Sequence, residues 1–315
     1  MRRKLDFIID ENTDGKSIGD FLKSRGFSGN SIIRLKQTEN GILLNDRKEH
    51  VNVTVHKGDR LTVQTGLEKP SEKIIPEDLP FPVVYEDEDL VVVNKPAGMP
   101  VHPSVNHHTH TLAGAAAFYF KKKGEPFVFR CVNRLDMGTS GLVILAKHGY
   151  AAGCLNRQME ERKITKEYLA IVEGNVKEEK GKIDKPVGRL EGSVIERTVD
   201  CDRGERAVTF YEVEQRYEGY TLLRVRPETG RTHQIRVHMK SIGHPLAGDF
   251  LYNPGSTEMK RQALHACRLC FQHPVTKEKL NFEVEMPEDM KTFLSGLSQI
   301  TVHKNEMTDA AGHYK

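Results

Sequence analysis

The chain has 315 residues, 37% hydrophobic and 29% charged, with 47 Lys and Arg against 44 Asp and Glu. That is the make-up of a soluble globular protein long enough for one large domain and a small one. No apolar run is long enough to span a bilayer, the basic start at Arg2, Arg3 and Lys4 leads into no signal-peptide core, and five scattered cysteines argue against a disulfide framework. A reducing, cytoplasmic setting is expected. The small cationic surplus sits in residues 1–75, which hold 14 basic against 11 acidic residues, and the remainder is neutral. Such a surplus permits a nucleic-acid partner without demanding one.

In chain order, Ser17 is a helix cap before Ile18, Phe21 and Leu22 on one helical face, and Gly26 stops that helix. A second short helix is expected from Ser28 to Lys36. Strands are expected at Ile42–Asn45, across Val51, Val53 and Val55, and at Arg60–Val63 after the Lys57-Gly58-Asp59 turn. Two short helices followed by short strands resemble the small S4-like RNA-binding domain. That resemblance implies that Arg25, Arg34 and Lys36 face phosphate, where an ordinary solvated basic face is the alternative. Four prolines between Leu67 and Pro82 suit a stiff linker. The expected division is 1–68, a linker at 69–82, a main domain at 83–300 and a polar tail at 301–315.

In the main domain, Val83–Tyr85 and Leu90–Asn94 read as strands across an acidic turn. Lys95 opens a loop shaped by Pro96, Gly98 and Pro100. His107, His108 and His110 are close enough for a metal clip but lack a paired carboxylate or Cys, which favours solvated loop residues. Thr111 to Tyr119 reads as a helix. Then Asn133-Arg134-Leu135-Asp136-Met137-Gly138-Thr139-Ser140-Gly141 runs into the apolar Leu142–Ala146, a loop feeding a buried strand. Spacing alone leaves open a surface turn in which Asp136 merely accepts backbone hydrogen bonds. Tyr150–Arg162 is a helix, and Ile164–Val172 a strand with Lys166 and Tyr168 on one face. A neighbouring cation would lower the Tyr168 phenol pKa. Strands at Ala207–Val213 and Tyr220–Val225 are antiparallel neighbours. Arg231 then sits at a strand-to-helix junction, with Thr232 able to cap the helix that follows. Cys267 and Cys270 have no second Cys pair and suit strand packing rather than zinc.

Residues 133–141 resemble the signature of the RluA family of pseudouridine synthases, His-Arg-Leu-Asp, two variable residues and Thr-Ser-Gly, with Asn133 in place of the His. Asn94-Lys95-Pro96 with Val101-His102-Pro103, Lys166-Glu167-Tyr168-Leu169-Ala170 and Gly230-Arg231-Thr232-His233-Gln234-Ile235-Arg236 match further blocks of that family in its order. The resemblance implies an α+β fold: a mixed, mainly antiparallel central sheet with flanking helices and an active-site cleft, beside the small N-terminal domain. It implies isomerisation of uridine to pseudouridine in RNA without cofactor or metal. Asp136 is then the nucleophile, Arg231 its ion-pair partner and Tyr168 the proton acceptor. Arg134 fills the space left by the flipped base, Ile235 packs on the uracil, and Lys95 and Lys166 support the site. Asn133 is expected to be structural, since only His titrates near neutral pH. Large-subunit ribosomal RNA is the expected substrate and transfer RNA the alternative, bound by a monomer. A non-catalytic RNA-binding or assembly factor and a two-carboxylate hydrolase, with Glu228 as second carboxylate, are the rival classes.

Overall fold

The structure is a computed structural model that describes residues 3–65, 70–104 and 107–300. The expected boundary at 68/69 and the tail at 301–315 lie outside the described residues.

The N-terminal unit comprises β1 (Lys4–Ile8), α1 (Ile18–Arg25), α2 (Gly29–Gln37), β2 (Ile42–Leu44), β3 (Arg47–Lys48) and β4 (Arg60–Gln64). Its antiparallel sheet has the order β1-β4-β2-β3. Ser17 caps α1 by accepting from the Asp20 amide, and Gly26 closes the helix at φ 107°. Asn45 and Asp46 both have positive φ, the conformation a two-residue β-hairpin requires. Two local expectations fail. Lys4–Ile8 forms an unforeseen strand on β4. Val51–Val55 forms none, because its carbonyls serve the first turn of α1: the Ile18 and Gly19 amides donate to Val53 and Val51 at 2.8 and 2.7 Å. Those amides have no partner within the helix.

The larger unit runs β5 (Val83–Glu86), β6 (Leu90–Lys95), α3 (Leu112–Lys122), β7 (Ser140–Ala146), α4 (Gly149–Glu160), β8 (Thr165–Glu173), β9 (Lys180–Asp184), β10 (Val187–Arg189), β11 (Arg197–Val199), β12 (Val208–Tyr217), β13 (Tyr220–Pro227), α5 (Gln234–Ser241), β14 (Leu264–Gln272), β15 (Lys279–Glu283), α6 (Glu288–Ser295) and β16 (Gln299–Ile300). The main sheet has the order β16-β12-β13-β8-β14-β7-β6-β5, with β15 added on β14 and β9 on β12. Its strands β6 and β7 are apolar on both faces because both faces are covered. Val91, Val93, Val143 and Leu145 pack toward Leu112, Ala116 and Phe120 of α3, while Leu90, Val92, Leu142 and Ile144 pack toward Ala151 and Leu155 of α4.

All pairings in this sheet are antiparallel except β7 with β14, a parallel seam of two residue pairs. That seam fixes a row across the sheet: Lys95 opposite Gly141, Gly141 opposite Ala266, and Ala266 opposite Tyr168. Gly141 is required there. Its φ is +118°, and a Cβ would lie 2.3 Å from the Ala266 carbonyl oxygen. Gly141→Ala is therefore expected to cost about 3 kcal/mol or more, combining backbone strain with overpacking. Chemical denaturation would measure the loss, and wild-type stability would contradict the seam geometry.

The two units share a core. Phe27 stacks on Tyr150 of α4 at 4.4 Å, and Tyr150 and Cys154 pack among the N-terminal apolar residues. Gly26 and Gly153 allow the backbones to meet, since a Cβ on Gly153 would lie 2.4 Å from the Gly26 oxygen. Arg3 binds the buried Asp89 through Nε at 2.8 Å and Nη2 at 3.2 Å, and His148 Nε2 lies 2.8 Å from the same carboxylate. Burial alone would raise the Asp89 pKa, but the His148 and Arg3 bonds outweigh it and bring it from 3.8 to about 2. Between those values the unfolded chain binds the proton and the folded one does not, so stability rises with pH. This contribution is complete above about pH 4 and is lost as pH falls through about 2. Asp89→Asn should lose less stability than wild type between pH 5 and pH 2.5 in urea titrations. Equal acid losses would assign the drop to other groups.

Candidate active site

A cleft of about 630 Å³ opens beside the sheet row. The loop before β7, the start of β8, the turn after β13, the first turn of α5 and the loop after β6 surround it. Asp136, Tyr168 and Arg231 all line it, as do Asn133, Arg134, Lys166 and Ile235.

Asp136 is partly exposed and accepts a hydrogen bond from Arg236 Nη1 at 3.1 Å. Arg236 is buried, and its other edge forks onto Asp249, Nε to Oδ2 and Nη2 to Oδ1, both at 2.7 Å. Asp249 is fully buried and also accepts the Leu251 and Tyr252 amides at 3.1 Å. A carboxylate anchored by main-chain amides thus holds a bidentate arginine, which holds the open carboxylate. Burial would lower the Arg236 pKa, but Asp249 and then Asp136 raise it above its ordinary value. The guanidinium also lies 4.8 Å over the Tyr252 ring.

The expected Asp136–Arg231 pair is not formed. Arg231 pairs with Glu205, donates from Nε to the Arg206 carbonyl at 3.3 Å and stands half-exposed at the cleft edge. The reason is local. The helix does not start at a Thr232 cap but at His233, which is left-handed at φ 57° and makes no capping bond. Gln234 braces the turn instead, accepting from the Arg231 amide at 3.0 Å and Thr229 Oγ1 at 2.7 Å while donating to Val208 O at 2.9 Å and Thr209 Oγ1 at 3.0 Å. Arg231 stays on the outside of that turn, and Arg236 in the first helical turn reaches inward. His233 joins the site too: Nδ1 lies 2.8 Å from the Tyr252 hydroxyl and Nε2 3.9 Å from Asp136. Burial lowers its pKa, against the opposing pull of Asp136.

Tyr168 is buried, and burial followed by the Asp136 charge pushes its pKa up. Lys166 does not lower it as expected. Burial depresses the lysine's own pKa, and among the described residues its ammonium has no hydrogen-bond or ion-pair partner. Lys95 lies behind the cleft wall, fully buried, and donates to the carbonyls of Pro96 at 2.9 Å, Met99 at 2.8 Å and Met137 at 3.3 Å. It therefore ties its own loop to the Asp136 loop. Burial brings its pKa to about 7, with Asp136 pulling upward.

Asn133 is buried and behaves as an extra peptide unit. Its Nδ2 donates to Leu142 O at 3.1 Å and its Oδ1 accepts from the Ile144 amide at 2.8 Å. An amide offers that donor–acceptor pair without titrating. Arg134 is exposed and has no hydrogen bond or ion pair among the described residues. Ile235 contributes an apolar wall. Glu228 is held by Arg162 and Arg206, and it is absent from the cleft lining.

On the N-terminal unit, Arg34 and Lys36 are exposed on α2. Arg25 instead turns toward the larger unit and pairs with Asp10 at 3.1 Å. His107, His108 and His110 are exposed, and Cys267 and Cys270 are free thiols on β14. Among the described residues, Asp87, Asp89 and His273 are the group whose donor atoms approach metal-binding distances. Arg3, His148, Tyr85 and main-chain amides already engage these carboxylates. No helix among the described residues is long and apolar enough to cross a membrane.

A single open carboxylate fixed by a buried arginine, beside a tyrosine and basic side chains, is an arrangement suited to enzymatic attack on an electrophilic carbon. A family model described as RNA pseudouridylate synthase matches residues 89–241. A Bacillus subtilis (strain 168) protein, Uncharacterized RNA pseudouridine synthase YhcT, is 38% identical over 291 residues, covering 92% of this chain and 96% of its own. Ribosomal large subunit pseudouridine synthase D of Vibrio cholerae serotype O1 is 41% identical over 247 residues, 74% of this chain and 75% of its own. The solved structure of Human RNA Pseudouridylate Synthase Domain Containing 1 matches with a TM-score of 0.60 and 26% identity, over 75% of this chain and 94% of that one. The chain belongs to the RNA pseudouridine synthase family. It is an isomerase acting on uridine in RNA.

Proposed function

We propose that this enzyme converts one or more uridines of large-subunit ribosomal RNA to pseudouridine in the cytoplasm, with Asp136 as the nucleophile. The observation that carries the residue roles is the Asp249–Arg236–Asp136 chain, which orients one carboxylate toward an open cleft. The substrate follows the name of the Vibrio cholerae relative.

In the reaction the bond between N1 and C1′ breaks, the uracil turns over and a bond forms between C5 and C1′. C5 loses a proton and N1 gains one, so no oxidant or cofactor is consumed. A carboxylate can attack, or stabilise, an anomeric carbon of oxocarbenium character. Arg236 keeps Asp136 aimed into the cleft. Tyr168 acts as a neutral phenol, since burial and Asp136 both disfavour its anion. It can accept the C5 proton only while passing its own onward. The target nucleotide must leave its stack to enter the cleft. Arg134, exposed at the mouth, occupies the vacated space, and its planar guanidinium suits stacking on bases. Ile235 packs on the uracil, and Lys166 meets an oxygen of the bound nucleotide. The N-terminal unit, as an S4-like domain presenting Arg34 and Lys36, adds phosphate contacts.

Mapping pseudouridines in total RNA from a deletion strain tests the assignment. Loss of specific large-subunit sites, restored by the wild-type gene, is expected. Loss confined to transfer RNA would move the substrate there, and an unchanged map would remove the proposed activity from the cell.

A further inference from the structure

A second cavity, of about 510 Å³, lies between the N-terminal unit and the larger one. Strand β1 and the end of α1 form one side, and α4 with the turn after β14 forms the other. Six cations line it, Arg3, Lys4, Arg25, Arg157, Lys163 and Lys277, against two carboxylates, Asp6 and Glu161. Four of the six already pair with carboxylates: Arg3 with Asp89 and Glu88, Lys4 with Asp6, Arg25 with Asp10 and Lys163 with Glu161. The other two, Arg157 and Lys277, have no carboxylate partner among the described residues. Arg157 donates to the carbonyls of Ser24 and Lys23, and Lys277 donates to that of Pro274. Arg25 pairs with Asp10 through Nη2, but its Nε is buried without a hydrogen-bond partner.

The groove adjoins the active-site cleft. Gln158 and Glu161 of α4 and its C-cap face the groove, whereas Met159 lines the cleft. The two openings are therefore separated by the end of one helix. The shared core and the Gly26–Gly153 contact hold the groove's two sides at a fixed spacing. We propose that this groove is a second track for the RNA phosphate backbone, engaged by the strand where it crosses the C-terminal end of α4 outside the cleft. The proposal rests on the assignment of RNA as substrate. A free phosphate anion would satisfy the same cations, and the test separates the two.

The probe is unmodified large-subunit ribosomal RNA transcribed in vitro, with binding measured across a salt series. Lys4→Gln/Lys163→Gln/Lys277→Gln removes three groove charges at exposed positions away from the reacting groups. Each lost phosphate contact on a single strand lowers the slope of log K against log salt by about 0.7, so the triple variant should lose about 2 from the slope. Affinity near 0.1 M salt should weaken at least about tenfold by the same counterion-release argument. Lys180→Gln/Lys182→Gln/Lys291→Gln, an equal charge change elsewhere, should leave the slope near wild type. The single-turnover rate at saturating RNA should be unchanged in both.

An unchanged slope in the groove variant, or an equal fall in the control, overturns the track. Saturable binding of inorganic phosphate that is lost in the groove variant, with the RNA slope intact, also overturns it and assigns a free anion. Absence of pseudouridine in this RNA with wild-type enzyme, alongside the expected slope difference, would fault the substrate assignment and not the groove.

Discussion

Asp136→Asn is expected to abolish pseudouridine formation, lowering the single-turnover rate by roughly 10⁴-fold or more, the scale seen when a nucleophile is removed. Asn keeps the size and shape of Asp but offers no anionic oxygen for attack or for stabilising an oxocarbenium ion. The surroundings should survive the change. Arg236 keeps its two bonds to Asp249, which is anchored by the Leu251 and Tyr252 amides. Folding and RNA affinity should therefore stay close to wild type, which separates an enzyme from a binding factor built on the same fold. A variant that binds RNA normally and retains the wild-type rate would remove Asp136 from the chemistry.

Arg236→Lys should have the second largest effect, about 10²- to 10³-fold in rate and about 3 kcal/mol or more in stability. Lysine preserves the charge but presents a single ammonium. It cannot hold both oxygens of Asp249 and reach Asp136 at the same time, as the guanidinium does. One of two neighbouring carboxylates then loses its cation. The comparison that decides the matter is Arg231→Lys. Arg231 is half-exposed and paired with Glu205, so this change should alter RNA affinity more than the rate at saturation. If Arg231→Lys proved the more damaging to the saturated rate, the catalytic ion pair would have to re-form around Arg231 when RNA binds.

Much of the fold is legible in apolar periodicity. Helices near 18–25, 112–122 and 149–160 and strands near 90–95, 165–173 and 220–227 appear where spacing and capping residues indicate them. The fold class follows from the family resemblance, which the relatives bear out. The choice between Arg231 and Arg236 was not legible. Gln234 through Met239 are all buried, so α5 has no wet face from which to infer where its side chains point. The distant partner Asp249 settles the direction of Arg236, and only tertiary structure brings it near. Val51–Val55 alternates like a strand but lends its carbonyls to a helix start, at Ile18 and Gly19, far upstream in the chain. Tyr168 and Lys166 do share a strand face, but proximity in sequence says nothing of desolvation, which dominates both groups.

The narrow parallel seam has a kinetic consequence. Ser140 and His265 meet there across 125 residues of chain, and Asp136 and Arg236 meet across 100. Loops of that size must close before their contacts return any free energy, so such pairings form late. Asp136, Arg236 and Tyr168 then come together only once the sheet halves have joined. During refolding, helical signal and collapse should precede the recovery of turnover, which should track the slowest phase. A nascent chain released before β14 emerges would carry Asp136, Arg236 and Tyr168 yet lack the strand that sets β7 beside β8.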